Sequence, residues 1–333
     1  MSRFLPDRFT VLLICTVILA SILPIHGIYA EWFDVATDIA IGLLFFLHGA
    51  RLSRDTVVAG ILHWRLHLTI LLTTFAIFPI LGLMIGFIPE SVLAAPLYMG
   101  ILFLCVLPST VQSSIAFASM AGGNVPAAIV AASGSNIFGM FLTPLLTGLL
   151  LSTTGNGGFS WDAMQSILLQ LLLPFVVGQI LQPWIGNWIR SKKKILAPVD
   201  RGSILMVVYL AFSEAVMEGL WHTFSATDIA VVIVIDMGLL AVVLCITMFG
   251  ARLLGFNKED EITITFCGSK KSLASGVPMA NAIFANQSSS IGAIVLPLML
   301  FHQIQLMACA VIAQKYANRL KLKLKDTAAA QAA

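Results

Sequence analysis

FCGSKKSLASGVPMANAIF, residues Phe266 to Phe284, is the stretch on which the reading of this chain turns. It lies in an apolar run long enough to enter a bilayer, yet it carries Lys270 and Lys271 side by side. The rest of the chain avoids charge. Of 333 residues only 11% are charged, and the mean hydropathy is +0.96. A soluble globular protein carries about 25% charged residues. So much apolar sequence exceeds what a water-soluble core can hold and points to an all-α polytopic membrane protein.

The pattern predicts ten spans of about 20 residues, the length that crosses a hydrocarbon core of roughly 30 Å. They fall near 9–28, 33–50, 66–88, 93–121, 125–151, 164–187, 202–220, 228–253, 260–284 and 290–314. Pro89, Gly122-Gly123-Asn124, Gly155-Asn156-Gly157-Gly158 and Asn286 mark turns between them. The first run exceeds a signal-peptide core and lacks a small-residue cleavage site, so it reads as a retained span. Of the 19 basic residues, 17 fall before span 1, after spans 2, 6 and 8, or in the tail from Lys315 to Lys325. The positive-inside rule then puts both termini on the cytoplasmic side. Only Lys270 and Lys271 lie outside loops and tails. The five cysteines, Cys15, Cys105, Cys245, Cys267 and Cys309, sit in apolar segments without a CxxC and read as small core hydrophobes.

Ser152 to Ala163 splits the single membrane domain (1–333) into repeats of about 9–151 and 164–314, with a tail at 315–333. Five spans per half is an odd number, so the halves would insert with inverted topology, the plan of many secondary transporters. The fourth span of each half is interrupted. Span 4 (Leu97 to Asn124) breaks at Pro108 and Ser109, followed by Gln112, Ser113 and Ser114. Span 9 carries Gly268, the two lysines, Gly276 and Pro278. Proline removes a backbone donor and clashes with the preceding turn. Unwound backbone at membrane depth survives only where protein or a cavity covers it. Paired interruptions at matching positions are the best sequence pointer to a transporter binding site.

The element LLFFLHGARLS (Leu43 to Ser53), LPSTVQSS and AGGN around span 4, and the span-9 stretch together resemble the bile acid:sodium symporter family. The likeness is greatest to the bacterial branch related to that family's seventh human member, and it runs from about residue 5 to 318. It implies ten transmembrane helices in two inverted five-helix repeats, with unwound, crossing helices 4 and 9. Helices 1, 2, 6 and 7 would form a panel and helices 3, 4, 5, 8, 9 and 10 a core. Transport would proceed by alternating access, elevator-like. The family's sodium ligands on helix 9, a Glu and a Gln four residues on, fall here on Phe266 and Lys270, and the helix-5 hydroxyls fall on Ala128 and Ala132. Sodium coupling is therefore not carried over, and the coupling ion is left as sodium or a proton.

Lys270 lies about 11 residues in from Glu259, roughly 16 Å at 1.5 Å per residue, near mid-membrane. Charge at that depth marks function by default. The ammonium can replace a bound sodium at the crossover, titrate and so couple transport to protons, or bind an anionic substrate. A lysine can also snorkel to the surface. Adjacent residues point about 100° apart on a helix, and Lys270 is the one expected to face the crossover. Asp236 in span 8 and Glu214 in span 7 are the deep carboxylates available as partners. Glu218, Asp34 and Asp38 read as interfacial or capping residues. Ser133, Ser135 and Asn136 on span 5, and His302, Gln303 and Gln305 on span 10, complete the candidate site, with helix–helix hydrogen bonding as their competing role.

These features favour a symporter-like secondary transporter for a small organic anion, in contact with anionic lipid headgroups and with no cofactor or nucleic acid. The competing reading is a non-transporting membrane regulator or ligand-binding protein on the same fold. No helix carries the continuous polar stripe of a channel. HExxH, GxSxG and nucleotide-binding loops are absent, so an enzyme or ATP-driven pump is not expected.

Overall fold

The computed structural model describes residues 8–51, 63–153, 173–217, 225–284 and 288–332. Every regular element among them is helical. The helices are α1 (Arg8–Ile22), α2 (Ile28–Arg51), α3 (Trp64–Leu72), α4 (Phe78–Ile85), α5 (Ala95–Val106), α6 (Gln112–Ala121) and α7 (Val125–Thr153). After them come α8 (Leu173–Ser191), α9 (Lys193–Met217), α10 (Ala226–Leu253), α11 (Lys258–Gly268), α12 (Leu273–Ile283) and α13 (Ser288–Ala332). A wide turn, Thr73–Ile77, joins α3 to α4 without a break. Five stretches are long and apolar enough to cross a membrane: Ile28–Arg51, Trp64–Ile85, Val125–Leu150, Ala226–Leu253 and Ile291–Arg319. Ala95–Val106 is apolar but shorter.

Local sequence explains the helix ends. Ser225 caps α10 in a reciprocal box with Asp228, Asn257 accepts from Asp260 N–H at the start of α11, and Ser272 accepts from Ser275 N–H at the start of α12. Gly122, at φ 77°, takes the left-handed conformation that ends α6. The next glycine, Gly123, has no room for a side chain because Ile262 packs against it. That close approach lets Asn124 reach α11, where its side chain donates to Asp260 (2.8 Å) and its carbonyl accepts from Thr263 (3.1 Å). Beside this joint Glu261 accepts from Lys258 (2.6 Å) and Arg252 (3.0 Å).

Helices α2 and α8 approach backbone to backbone. A methyl group at Gly49 would overlap the Phe175 carbonyl, and one at Gly178 would overlap the Phe46 carbonyl. Small residues permit such backbone approach between helices in a bilayer. Gly178→Val is expected to force the pair apart, with a loss of about 1–3 kcal/mol or more from overpacking. A lower Tm in detergent, or failure to accumulate in the membrane, would register it.

Two predicted break residues lie elsewhere. Gly276 and Pro278 are inside α12, not in an unwound segment. Gly276 makes room for Leu107 and Leu298, which a Cβ would strike. Pro278 is the sixth of the 11 residues of α12, and its missing N–H costs the helix the bond to the Ala274 carbonyl. The unwound backbone of this region is Ser269 to Ser272.

Candidate functional site at two meeting helix breaks

Helix α5 ends at Val106 and α6 begins at Gln112, so Leu107 to Val111 are unwound. Gly139 on α7 gives the room for Pro108, since a Cβ there would strike the proline ring. The interruption between α11 and α12 meets this one. Ser272 N–H donates to the Pro108 carbonyl (2.9 Å), Ser109 Oγ to the Cys267 carbonyl (2.6 Å) and Ser114 Oγ to the Phe266 carbonyl (3.0 Å).

Buried backbone groups must be paired, and several of the groups freed by these breaks find partners on neighbouring helices. Thr143 Oγ1 donates to the Val106 carbonyl (2.8 Å), and Asn136 Nδ2 to the Ser109 carbonyl (2.8 Å). Ser109 N–H donates to Ser135 Oγ (3.0 Å). Across the second break the Gln305 amide clamps one residue on both sides: Lys271 N–H donates to Oε1 (2.9 Å) and Nε2 donates to the Lys271 carbonyl (2.8 Å). His302 Nδ1 lies 2.9 Å from the same Nε2. Ser275 Oγ donates to Asn136 Oδ1 (2.8 Å), which ties α12 to α7.

The two lysines have opposite surroundings, although both side chains are wholly buried. Lys271 Nζ donates to three backbone carbonyls: Thr74 (2.9 Å), Cys105 (2.8 Å) and Leu107 (2.8 Å). The Phe78 ring covers it at 4.0 Å. Lys270 Nζ lies over the rings of Phe117 (3.9 Å) and Phe266 (5.7 Å) and has no hydrogen-bond partner. Among the described residues no carboxylate lies within 4.0 Å of either ammonium. Of the two, it is Lys271 that reaches the carbonyls released by the break in α5–α6, while Lys270 turns to the aromatic face of α6.

Sequence reasoning missed the Thr74 carbonyl. The wide turn directs Phe78 N–H to Thr73 and away from Thr74. The next donor along would be residue 79, but Pro79 has none. Thr74 is therefore left with a free buried carbonyl, and the TTFAIFP stretch, Thr73 to Pro79, was the available signal.

Other expected site residues are placed as follows. Ser114, Ser135 and Asn136 are buried in the network just described. Ser113 Oγ lies 2.7 Å from Thr110 Oγ1. Gln112 is exposed at the start of α6, and Ser133 and Gln303 are half-buried. Asp236 is wholly buried on α10, and neither of its carboxyl oxygens has a hydrogen-bond partner. Glu214 is on α9, but its side chain and all of Glu218 lie outside the described residues.

Comparison with known proteins accords with a transporter architecture. The Pseudomonas aeruginosa protein PA2026 is 56% identical over 328 residues, covering 98% of this chain and 96% of that one. "Putative symporter YfeH" of Escherichia coli is 53% identical over 310 residues, covering 93% and 92%. Sodium/bile acid cotransporter 7 of Mus musculus is 27% identical over 276 residues, covering 82% and 81%. These matches bear out the resemblance seen in the breaks, and the helices long enough to span a bilayer fit an integral membrane protein. The profile of the SBF-like CPA transporter family matches residues 7–318, and the chain belongs to that family.

Proposed function

We propose that this protein is a symporter-like secondary active transporter of a small organic anion, working by alternating access and driven by a sodium or proton gradient. In this reading ten transmembrane helices form two inverted repeats in the bacterial inner membrane, with both termini cytoplasmic. The single observation that carries the anion is Lys270: a wholly buried ammonium with three donors and no acceptor. An uncompensated cation at depth is costly and is retained for function. The positive ends of α6 and α12, on the far side of each break, add to the attraction for negative charge. Family membership and a symporter-named relative support transport.

The test is counterflow in proteoliposomes with a panel of labelled organic carboxylates and sulfonates, under imposed sodium or pH gradients. Accumulation of label driven by unlabelled anion inside, lost in Lys270→Gln, is the expected result. Saturable binding without counterflow would replace the transporter with a ligand-binding protein.

A further inference from the structure

We infer that the Thr74, Cys105 and Leu107 carbonyls form a binding cradle for a small monovalent cation, and that the Lys271 ammonium fills it as a tethered ion. The cradle does not arise from the lysine. Each carbonyl is orphaned by a separate feature of the backbone. Thr74 is freed by the wide turn and by Pro79. Cys105 and Leu107 are freed because α5 stops at the Pro108 break, and the Ser109 N–H that would have served Cys105 is taken by Ser135. Three neutral oxygens therefore converge on one buried point at the negative end of a helix, a position that favours positive charge.

An ammonium has three donors, and all three are used at 2.8–2.9 Å. The Phe78 ring closes another side by cation–π contact. Backbone carbonyls replacing a hydration shell are the donor set by which proteins hold bare alkali cations. The spacing suits ammonium or potassium better than the smaller sodium. With the cation supplied covalently, this point needs no ion from solution. The inference concerns binding and stands whether or not the protein transports.

The test compares the thermal unfolding of purified parent, Lys271→Ala and Lys271→Met in choline, sodium, potassium and ammonium chlorides. Alanine empties the cradle and leaves space for an ion. Methionine removes the charge but keeps the cradle filled. The parent is expected to show the same Tm in all four salts. Lys271→Ala should unfold at a lower Tm in choline and recover saturably by roughly 5 °C, with ammonium above sodium. Lys271→Met should lose stability and stay unresponsive. The proposal is overturned if Lys271→Ala is indifferent to the small cations, or if the parent gains as much from them as the variant does. It also fails if the alanine variant cannot be recovered in any salt while Lys271→Met matches the parent, since the carbonyls would then need filling but no charge.

Discussion

Lys270→Met should make the protein more stable and at the same time deaf to its ligand. A buried ion carries an effective desolvation penalty of several kcal/mol. Lys270 has only ring faces to offset it, at 3.9 Å and 5.7 Å, and a desolvated cation–π contact returns about 2 kcal/mol. Methionine has similar length, keeps the packing, and makes sulfur–aromatic contacts of its own. The expected net gain is roughly 1–3 kcal/mol, read as a higher Tm in detergent. Any organic anion that raises the parent's Tm should cease to do so in the variant. A stability cost at a ligand site is a common trade. Were Lys270→Met to lose stability on the scale of a core truncation, the side chain would be a structural strut and the anion reading would go with it.

The contrast between the two lysines shows what a one-dimensional reading can and cannot reach. Charge is so rare in the apolar runs that Lys270 and Lys271 announce themselves, and a proline followed by hydroxyl residues locates the break at Leu107 to Val111. Which lysine meets which partner depends on a different helix. The Thr74 carbonyl is freed by a hydrogen-bond shift within α3–α4, and nothing in the span-9 stretch signals it. Gly276 and Pro278 look like breakers from composition, yet both lie inside α12, where Leu107 and Leu298 pack close against Gly276. Asn136 and Gln305 were legible as polar residues in apolar helices. Their use as backbone clamps follows only from the carbonyls and amides that the breaks expose.

Asn136→Leu should be among the most damaging single substitutions in the chain. Its side chain donates to the Ser109 carbonyl in one break and accepts from Ser275 Oγ just beyond the other. Leucine has similar bulk but leaves the Ser109 carbonyl unpaired and takes the acceptor from Ser275 Oγ, whose remaining partner is Ser272 Oγ (3.2 Å). An unpaired buried group costs about 1–3 kcal/mol and a lost hydrogen bond about 0.5–1.5 kcal/mol, so the two amount to roughly 2–4 kcal/mol. No water can repair the site if it stays as closed as the structure has it, since Ser109 is wholly buried and Asn136 nearly so. The mechanism makes a sharper demand than simple loss of stability. Each single variant breaks the same Ser275–Asn136 bond, so the double variant should be more stable than the sum of the single effects predicts, by about 1 kcal/mol. Ser275→Ala alone should cost about 1–3 kcal/mol, because it leaves the buried Asn136 Oδ1 without the Ser275 donor while Nδ2 keeps its bonds to Ser109 and Ala132. Strict additivity in this cycle, measured by denaturant or thermal unfolding, would mean that α7 and α12 are not joined through Asn136. The two breaks would then be held in register by the Ser272–Pro108 and Ser109–Cys267 bonds, with Asn136 serving only its own helix.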